Sequence, residues 1–125
     1  MVNYPIGDFL IKLKNAALAG RSEVVMPYSK LVFKVAELLK KEKYLRDIKK
    51  NEGDLVVDLA YMKKQPVLVE MKLVSKPGRR VYKKVDQLKK LKGLSFYIIS
   101  TPEGVMTSKE AIKKNLGGEV ISEIH

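Results

Sequence analysis

The stretch between Ile98 and Glu119 constrains the fold most, because it combines a strand end, a helix start and a helix stop. An apolar run ends at Ile99. Hydroxyl-bearing residues crowd the next turn: Ser100, Thr101, Thr107 and Ser108. Thr107 and Glu110 have the spacing of a capping box, in which each side chain bonds the other residue's backbone N–H. Because Gly117 can take the left-handed conformation that ends helices, the stretch predicts a strand, a polar loop and a short capped helix.

Two amphipathic helices are predicted in the first third of the chain. Apolar residues recur at intervals of three and four from Pro5 to Leu18, and Pro5 suits a first helical turn. The same pattern runs through Lys30–Lys41 behind Ser29, a residue type favoured at N-caps. Alternating and short apolar runs predict three strands, the last two joined as a hairpin. These strands are Glu23–Met26, Tyr44–Ile48 and Leu55–Tyr61.

The rest of the chain shows strand patterns separated by turn residues. The polar stretch Lys63–Pro66 is the best linker candidate, so a domain boundary is predicted between residues 63 and 64. Predicted strands and turns then follow: Val67–Val74, a turn at Ser75–Arg80, Val81–Tyr82, a helical turn at Asp86–Leu91, Leu94–Ser100 and Glu119–Ile124.

The predicted fold class is α+β with two small domains. Residues 1–63 form a helix–strand–helix–strand–strand unit. Residues 64–125 form a mainly antiparallel β unit with one short capped helix.

Residue composition argues against several kinds of active site. The chain has no cysteine, and its single histidine is residue 125. Thiolate zinc sites and cysteine nucleophiles are therefore excluded, and a histidine-based metal site or catalytic triad has almost nothing to draw on. An enzyme that holds a nucleotide phosphate at the Thr107 helix would lack a general base. We expect no metal, no cofactor and no catalytic activity.

No segment has the sequence of a membrane span or a signal peptide. A helix needs about 20 consecutive apolar residues to cross a bilayer, and the longest apolar runs here are much shorter. The first residues lack the charged and then apolar layout of a secretion signal. We therefore expect a soluble cytoplasmic protein.

The charge is strongly positive and unevenly distributed. The chain carries 25 Lys and Arg against 14 Asp and Glu, a formal net charge of +11 at pH 7. Nine basic residues and one acidic residue lie between Lys72 and Lys92. This window is either a solvated basic face or a phosphate-binding surface. The candidates for phosphate contact are Lys76, Arg79, Arg80, Lys83 and Lys84.

Phosphate contacts alone would not select a partner. They position a protein on nucleic acid without choosing a sequence. A general basic protein that binds DNA, RNA or an anionic membrane through this window therefore stays open as an alternative.

The loop Ser100–Thr107 has both structural and functional interpretations. Structurally, Ser100 ends a strand, Gly104 supplies a positive φ, and Thr107 caps a helix. Functionally, hydroxyls and free N–H groups at a helix N-terminus can bond base edges and the ribose 2′-hydroxyl, which distinguishes RNA from DNA. Val105 and Met106 would add an apolar surface for a base.

Glu119, beyond the helix, has a similar pair of interpretations. A carboxylate repels phosphate, but it can accept hydrogen bonds from base N–H groups or the 2′-hydroxyl. It can also hold the hydroxyl loop in place.

Three separated segments resemble the family of the eighth protein of the bacterial small ribosomal subunit. They are Ser75–Tyr82 (Ser-Lys-Pro-Gly-Arg-Arg-Val-Tyr), Ile99–Thr107 (Ile-Ser-Thr-Pro-Glu-Gly-Val-Met-Thr) and Gly117–Val120 (Gly-Gly-Glu-Val). The chain start and the stretch Met26–Leu31 also match in order and spacing. The resemblance therefore covers nearly the whole chain.

The resemblance implies a two-domain α+β protein that binds the central domain of 16S rRNA and supports small-subunit assembly. The implied RNA-reading residues are Ser100, Thr101, Gly104, Val105, Met106, Thr107, Gly117, Gly118 and Glu119. Lesser contacts of the first domain are implied at Lys14, Asn15, Ser29 and Lys30. The implied partners are neighbouring ribosomal proteins and, in some bacteria, the mRNA of its own operon; the free protein is expected to be monomeric.

This sequence departs from the family pattern at three places, of which one is a short loop at Lys49–Asp54. Family members usually carry Ser where this chain has Pro102, so one hydroxyl and one N–H of the Ser100–Thr107 loop are absent. They often carry Lys where this chain has Glu103. Ser122 and Glu123 stand where a Cys-Tyr pair is common. Contacts at these four positions are not carried over.

Overall fold

The computed structural model describes residues 5–62, 64–66, 71–76, 78–91 and 96–124. These residues fall into two compact units, one within residues 5–66 and the other within 71–124. Each unit combines helices with antiparallel sheet, which confirms the predicted α+β class.

The N-terminal unit packs two helices against a three-stranded antiparallel sheet. Its elements are α1 (Pro5–Leu18), β1 (Glu23–Pro27), α2 (Lys30–Lys41), β2 (Leu45–Asn51) and β3 (Asp54–Leu59), then β4 (Tyr61–Met62) and β5 (Gln65–Pro66). The sheet order is β1-β3-β2, and β4 pairs with β5. Both helices have the predicted bounds, because an apolar stripe at helical spacing can be buried only as a helix.

Local backbone geometry explains the hairpin between β2 and β3. Glu52 and Gly53 form its two-residue turn and have φ of 48° and 88°, as a tight hairpin turn of the primed type requires. In β3, Leu55, Val57 and Leu59 are buried and alternate with half-buried residues. The predicted hairpin is therefore confirmed, with β2 running further, to Asn51.

The C-terminal unit is built around a larger antiparallel sheet. Its elements are β6 (Met71–Leu73), β7 (Tyr82–Lys83), α3 (Val85–Leu88), β8 (Phe96–Thr101), β9 (Gly104–Thr107), α4 (Ser108–Lys113) and β10 (Gly118–Ile124). The strand order is β6-β10-β8-β9, and β7 also pairs with β10. One face is packed by the short helices: Leu88 of α3 and Ala111 of α4 lie in one cluster with Ile99, Met106 and Val120.

Parts of some sequence predictions lie outside the described residues. These are Lys63 of the linker, residues 67–70 of the strand Val67–Val74, Pro77 of the turn Ser75–Arg80 (the basic turn), and residues 94 and 95 of the strand Leu94–Ser100. Residues 64–66 belong to the N-terminal unit, since β5 pairs with β4, whereas the sequence analysis assigned them to the second domain. The boundary between residues 63 and 64 stays a prediction.

The structure corrects the predicted loop between Ser100 and Thr107. It is a β-hairpin, in which β8 and β9 pair from Ile98 opposite Thr107 to Thr101 opposite Gly104. Pro102 and Glu103 are its two turn residues. Proline is favoured at the second position of a four-residue turn, so the departure at Pro102 suits a hairpin here.

The end of α4 is also corrected. The helix stops at Lys113, and the residue with left-handed backbone is Asn115 (φ 59°), not Gly117. Asparagine takes this conformation more readily than other residues with a side chain. The Gly117-Gly118 pair has a different cause, because a Cβ on Gly117 would lie 2.6 Å from the Lys83 carbonyl oxygen. A Cβ on Gly118 would lie 2.1 Å from the Ser100 carbonyl oxygen.

Candidate nucleic-acid interface

Thr101 uses its hydroxyl to hold the turn of the β8–β9 hairpin. The Oγ1 donates to the Gly104 carbonyl at 2.8 Å and accepts from the Glu103 backbone N–H at 3.2 Å. The residue is only 9% exposed. Thr101 therefore shapes the hairpin from within, and its predicted direct RNA contact stays a prediction.

Thr107 and Ser108 are likewise engaged in local structure. Thr107 is the N-cap of α4, and its Oγ1 accepts from the Glu110 backbone N–H at 3.2 Å, which confirms that half of the predicted capping box. Ser108 Oγ accepts from the Tyr97 backbone N–H at 3.2 Å. Both residues are buried. The Thr107 hydroxyl thus caps α4, and the Ser108 hydroxyl links the start of α4 to β8.

The side chains of β8, β9 and β10 divide between two faces of the sheet. Successive residues of a strand point to opposite faces. Because Ile99, Met106 and Val120 pack towards α3 and α4, their neighbours Ser100, Val105 and Glu119 lie on the other face. Met106 is 4% exposed, which corrects the expectation that it adds an exposed apolar surface to the loop.

Four residues form a single line across this second face, which we call the outer row: Val105, Ser100, Glu119 and Tyr82. Val105 lies opposite Ser100, and Ser100 lies opposite Glu119. Glu119 in turn lies opposite Tyr82. Directly opposed side chains are about 5 Å apart, so the outer row is roughly 15 Å long. Its ends are apolar or aromatic and its centre can form hydrogen bonds.

Within the described part of the chain, the Ser100 hydroxyl has no hydrogen-bond partner. The other three predicted hydroxyls of the segment, those of Thr101, Thr107 and Ser108, each have a hydrogen-bond partner. As a hydroxyl it can both donate and accept. Ser100 is therefore the hydroxyl of this segment best placed to bond an external ligand.

Glu119 is held in the outer row by an ion pair. Arg80 Nη1 lies 3.3 Å from Glu119 Oε2, and the two side chains are 35% and 17% exposed. A charge-assisted hydrogen bond from an arginine restricts the orientation of the carboxylate that accepts it. Arg80 thus contacts Glu119 in this structure, and its predicted phosphate contact stays a prediction.

The two candidate aromatic residues differ in their surroundings. Tyr82 is 69% exposed at the end of the outer row. Tyr97 packs against the core of the C-terminal unit, and its hydroxyl donates to Glu123 Oε2 at 2.8 Å. Burial, and then the hydrogen bond and charge of Glu123, raise the pKa of Tyr97 above its ordinary value. Tyr82 therefore remains available for stacking, and Tyr97 is a packing residue.

The predicted basic turn is a tight reversal with charged side chains on its outside. Lys76 and Arg79 exchange both backbone hydrogen bonds, at 3.0 and 2.9 Å, and both residues are exposed. Gly78 between them has a φ of 81°. Lys84, at the N-cap of α3, is exposed, whereas Lys83 in β7 is half-buried. The turn presents its cations in the unit that carries the outer row.

Ser75 anchors this turn, a role that the sequence analysis missed. It is fully buried, and its Oγ donates to the Val120 carbonyl at 2.7 Å. The same oxygen accepts from the Val81 backbone N–H at 2.9 Å. Ser75 therefore ties both ends of the basic turn to the residue next to Glu119. Serine is common in turns, so its presence directly before Lys76 did not reveal this role.

The four predicted contacts of the first domain lie at two places in the N-terminal unit. Lys14 and Asn15 are exposed on α1. Ser29 is the N-cap of α2 with extended backbone, as predicted, but its side chain makes no capping bond. Lys30 beside it is exposed. Their contacts with RNA stay predictions.

In the described ranges, no group of three or more His, Cys, Asp or Glu residues could hold a metal ion. No described helix is both long enough and apolar enough to cross a membrane.

Comparison with known proteins finds one family over almost the full length. The family model described as Ribosomal protein S8 matches residues 4–125. A protein of Cereibacter sphaeroides named small ribosomal subunit protein uS8 is 45% identical over 98% of each chain. Proteins of the same name from Pelagibacter ubique and Nitratidesulfovibrio vulgaris are each 42% identical, covering 96% and 99% of this chain and 95% and 99% of their own.

Proposed function

The chain belongs to the ribosomal protein S8 family, and from this premise we propose that it is a structural, RNA-binding constituent of the small ribosomal subunit. In this proposal it binds the central domain of 16S rRNA directly and supports subunit assembly. It acts at the ribosome, beside other small-subunit proteins, and catalyses no reaction.

The outer row carries the proposal. Ser100 and Glu119 offer hydrogen-bonding groups side by side, while Val105 and Tyr82 flank them with apolar and aromatic surface. The shallow minor groove of RNA displays 2′-hydroxyls and base edges, and unpaired bases stack on aromatic rings. Ser100 can bond either a donor or an acceptor, whereas Glu119 accepts from base N–H or 2′-hydroxyl groups. A flat row of this composition suits RNA better than DNA.

The basic turn supplies attraction without selectivity. Lys76 and Arg79 are exposed beyond the sheet, and Lys84 is exposed at the start of α3. A protein that neutralises phosphates in this way gains affinity for any polyanion, in a salt-dependent manner. In our proposal these cations hold the RNA while the outer row selects it.

The mRNA of its own operon is a further proposed ligand. Any RNA segment that presents the same shape and hydrogen-bonding groups to the outer row would bind there. Repression of translation would follow where such a segment overlaps the start of a coding region.

The proposal is tested by comparing three ligands at one moderate salt concentration: central-domain 16S rRNA, a DNA duplex of equal length, and anionic vesicles. Ser100→Ala deletes an unpartnered hydroxyl, so we expect weaker binding to the rRNA alone, by about 0.5–1.5 kcal/mol. Thr101 and Thr107 are poor probes, since their hydroxyls hold the protein's own backbone.

Ser22→Ala is the matched control, because it deletes an exposed hydroxyl in the N-terminal unit. It should leave all three affinities unchanged. Equal affinity for the three ligands, or equal effects of the two serine changes, would contradict the proposed role of the outer row.

A further inference from the structure

Strand β10 of the C-terminal sheet has two partners in succession on the side away from β8. β6 pairs with Ser122–Ile124, and β7 pairs with Gly118 and Glu119. Between these two pairings the chain leaves β10, makes the basic turn and returns at Val81. The ladder along this side of β10 is therefore interrupted immediately after Glu119.

The side chain of Ser75 fills the interruption. In a regular antiparallel pair, hydrogen-bonded residues exchange two backbone bonds. Val120 N–H donates directly to the Val81 carbonyl at 2.8 Å. In place of the reciprocal bond, Ser75 Oγ accepts from Val81 N–H at 2.9 Å and donates to the Val120 carbonyl at 2.7 Å. The hydroxyl is thus inserted as a bridge between the two strands, and Ser75 is 0% exposed.

This bridge lies directly behind the outer row. Val81 packs with Val120 towards the core of the C-terminal unit. Its neighbours Arg80 and Tyr82 therefore lie on the opposite face of the sheet. There Arg80 forms an ion pair with Glu119 at 3.3 Å, and Tyr82 lies opposite Glu119. A shift of Val81 relative to Val120 would move both residues relative to Glu119.

We propose that Ser75 is a positioning residue for RNA recognition, which rests on the proposed function of the outer row. Its hydroxyl holds Val81 at the separation from Val120 that aligns Tyr82 and Arg80 with Glu119. Ser75 does not contact the RNA, because it is fully buried. Without the hydroxyl, Val81 N–H and the Val120 carbonyl either bond each other directly or lose their partner. Both results change how β7 lies against β10.

Ser122 provides a matched control in the same sheet. It is also 0% exposed, and its Oγ donates to the Lys72 carbonyl at 3.0 Å, between β10 and β6. Ser122→Ala therefore deletes a buried hydroxyl that bonds the backbone, as Ser75→Ala does. Because Ser122 lies on the β6 side of the interruption, its loss should leave Tyr82 in place. A purely structural role of Ser75 predicts that the two variants behave alike.

The test measures the affinities of the full-length variants for central-domain 16S rRNA and for a DNA duplex of equal length. Both are measured at one moderate salt concentration, under conditions where urea unfolding shows each variant to be folded. Ser75→Ala should weaken rRNA binding roughly three- to tenfold. DNA binding should change less than about twofold, since phosphate attraction depends on charge more than on alignment. Ser122→Ala should change both affinities less than about twofold.

Ser75→Cys is the second variant, and it replaces Ser75→Ala if the alanine variant does not fold. A thiol is a weak donor and a weak acceptor, so the bridge is weakened while the side chain still fills the site. The loss of rRNA affinity should have the same direction and be smaller.

A double-mutant cycle identifies the residues through which Ser75 acts. In a protein that already carries Tyr82→Ala and Glu119→Gln, the Ser75 substitution should weaken rRNA binding further by less than about twofold, because the side chains that it aligns are gone.

The outcomes distinguish the positioning role from the proposed function. Equal affinity of the unmodified protein for rRNA and DNA would contradict the proposed function and the positioning role together. If the unmodified protein prefers rRNA, equal effects of the Ser75 substitution and Ser122→Ala would overturn the positioning role alone. An undiminished effect of the Ser75 substitution in the Tyr82→Ala, Glu119→Gln protein would overturn it as well.

Discussion

Ser100 and Thr101 are neighbours in β8 whose hydroxyls have opposite roles. Thr101 lies towards the helices and bonds both Gly104 and Glu103 within the hairpin. Ser100 lies on the opposite face, and no described group bonds its hydroxyl. The difference arises from strand alternation, which turns adjacent side chains to opposite faces. The same residue chemistry therefore serves folding at one position and, in our proposal, recognition at the next.

At Thr101 we predict a loss of stability. Thr101→Val leaves the Gly104 carbonyl and the Glu103 N–H without their partner, so the free energy of unfolding should fall by about 1–3 kcal/mol. Urea unfolding measures the change. Thr101→Ser keeps the hydroxyl and should recover most of the loss. A similar loss of stability on Ser100→Ala would contradict the division of roles between the two residues.

Close approach of two chain segments determines the Gly117-Gly118 pair. Neither residue has a positive φ, so conformational freedom is not the reason for glycine here. The Lys83 carbonyl and the Ser100 carbonyl occupy the space that a Cβ would need. The glycines allow β10 to pass close to its neighbours, and so align Glu119 with Ser100 and Tyr82.

At the level of secondary-structure elements, we predict that Gly118→Ala disrupts the pairing of β10 with β8. The added Cβ meets backbone rather than a movable side chain, so unfolding free energy should fall by at least about 2–3 kcal/mol. Gly78→Ala is the control, because nothing lies within 4 Å of its Cβ position and only its φ of 81° is unfavourable. That strain costs about 1–2 kcal/mol. Thermal unfolding should rank Gly118→Ala as the more damaging change, and the reverse order would contradict this reason for glycine.

The sequence did not predict β9, the second strand of the β8–β9 hairpin, for a physical reason. Gly104–Thr107 is four residues long, and it contains one buried apolar residue, Met106. A segment this short shows no measurable period, and its strand character comes from pairing with β8. The capped helix was easier to predict, because the Thr107–Glu110 bond is local in sequence.

At the scale of the whole molecule, the net positive charge is larger in the second half of the chain, because that half has fewer acidic residues. Residues 64–125 carry 13 basic and six acidic side chains, whereas residues 1–63 carry 12 and eight.

The salt dependence of RNA binding should reflect this division. Removing one phosphate contact with Lys76→Gln should lower the slope of log affinity against log salt by roughly 0.7–0.9. Lys34→Gln makes the same charge change on an exposed position of α2 and should leave the slope nearly unchanged. Filter binding over a range of salt concentrations measures both. Equal slopes for the two variants would argue against phosphate contact at the basic turn.

The sequence alone determined the helices α1 and α2 to the residue, the α+β class and the cap at Thr107, because periodicity and capping depend on residues close together in the chain. It also indicated the family and the basic window. Only the tertiary structure decided which hydroxyls are free. The outer row joins Tyr82, Ser100, Val105 and Glu119 from four strands. Their alignment depends on strand register, which is set by packing between residues distant in sequence.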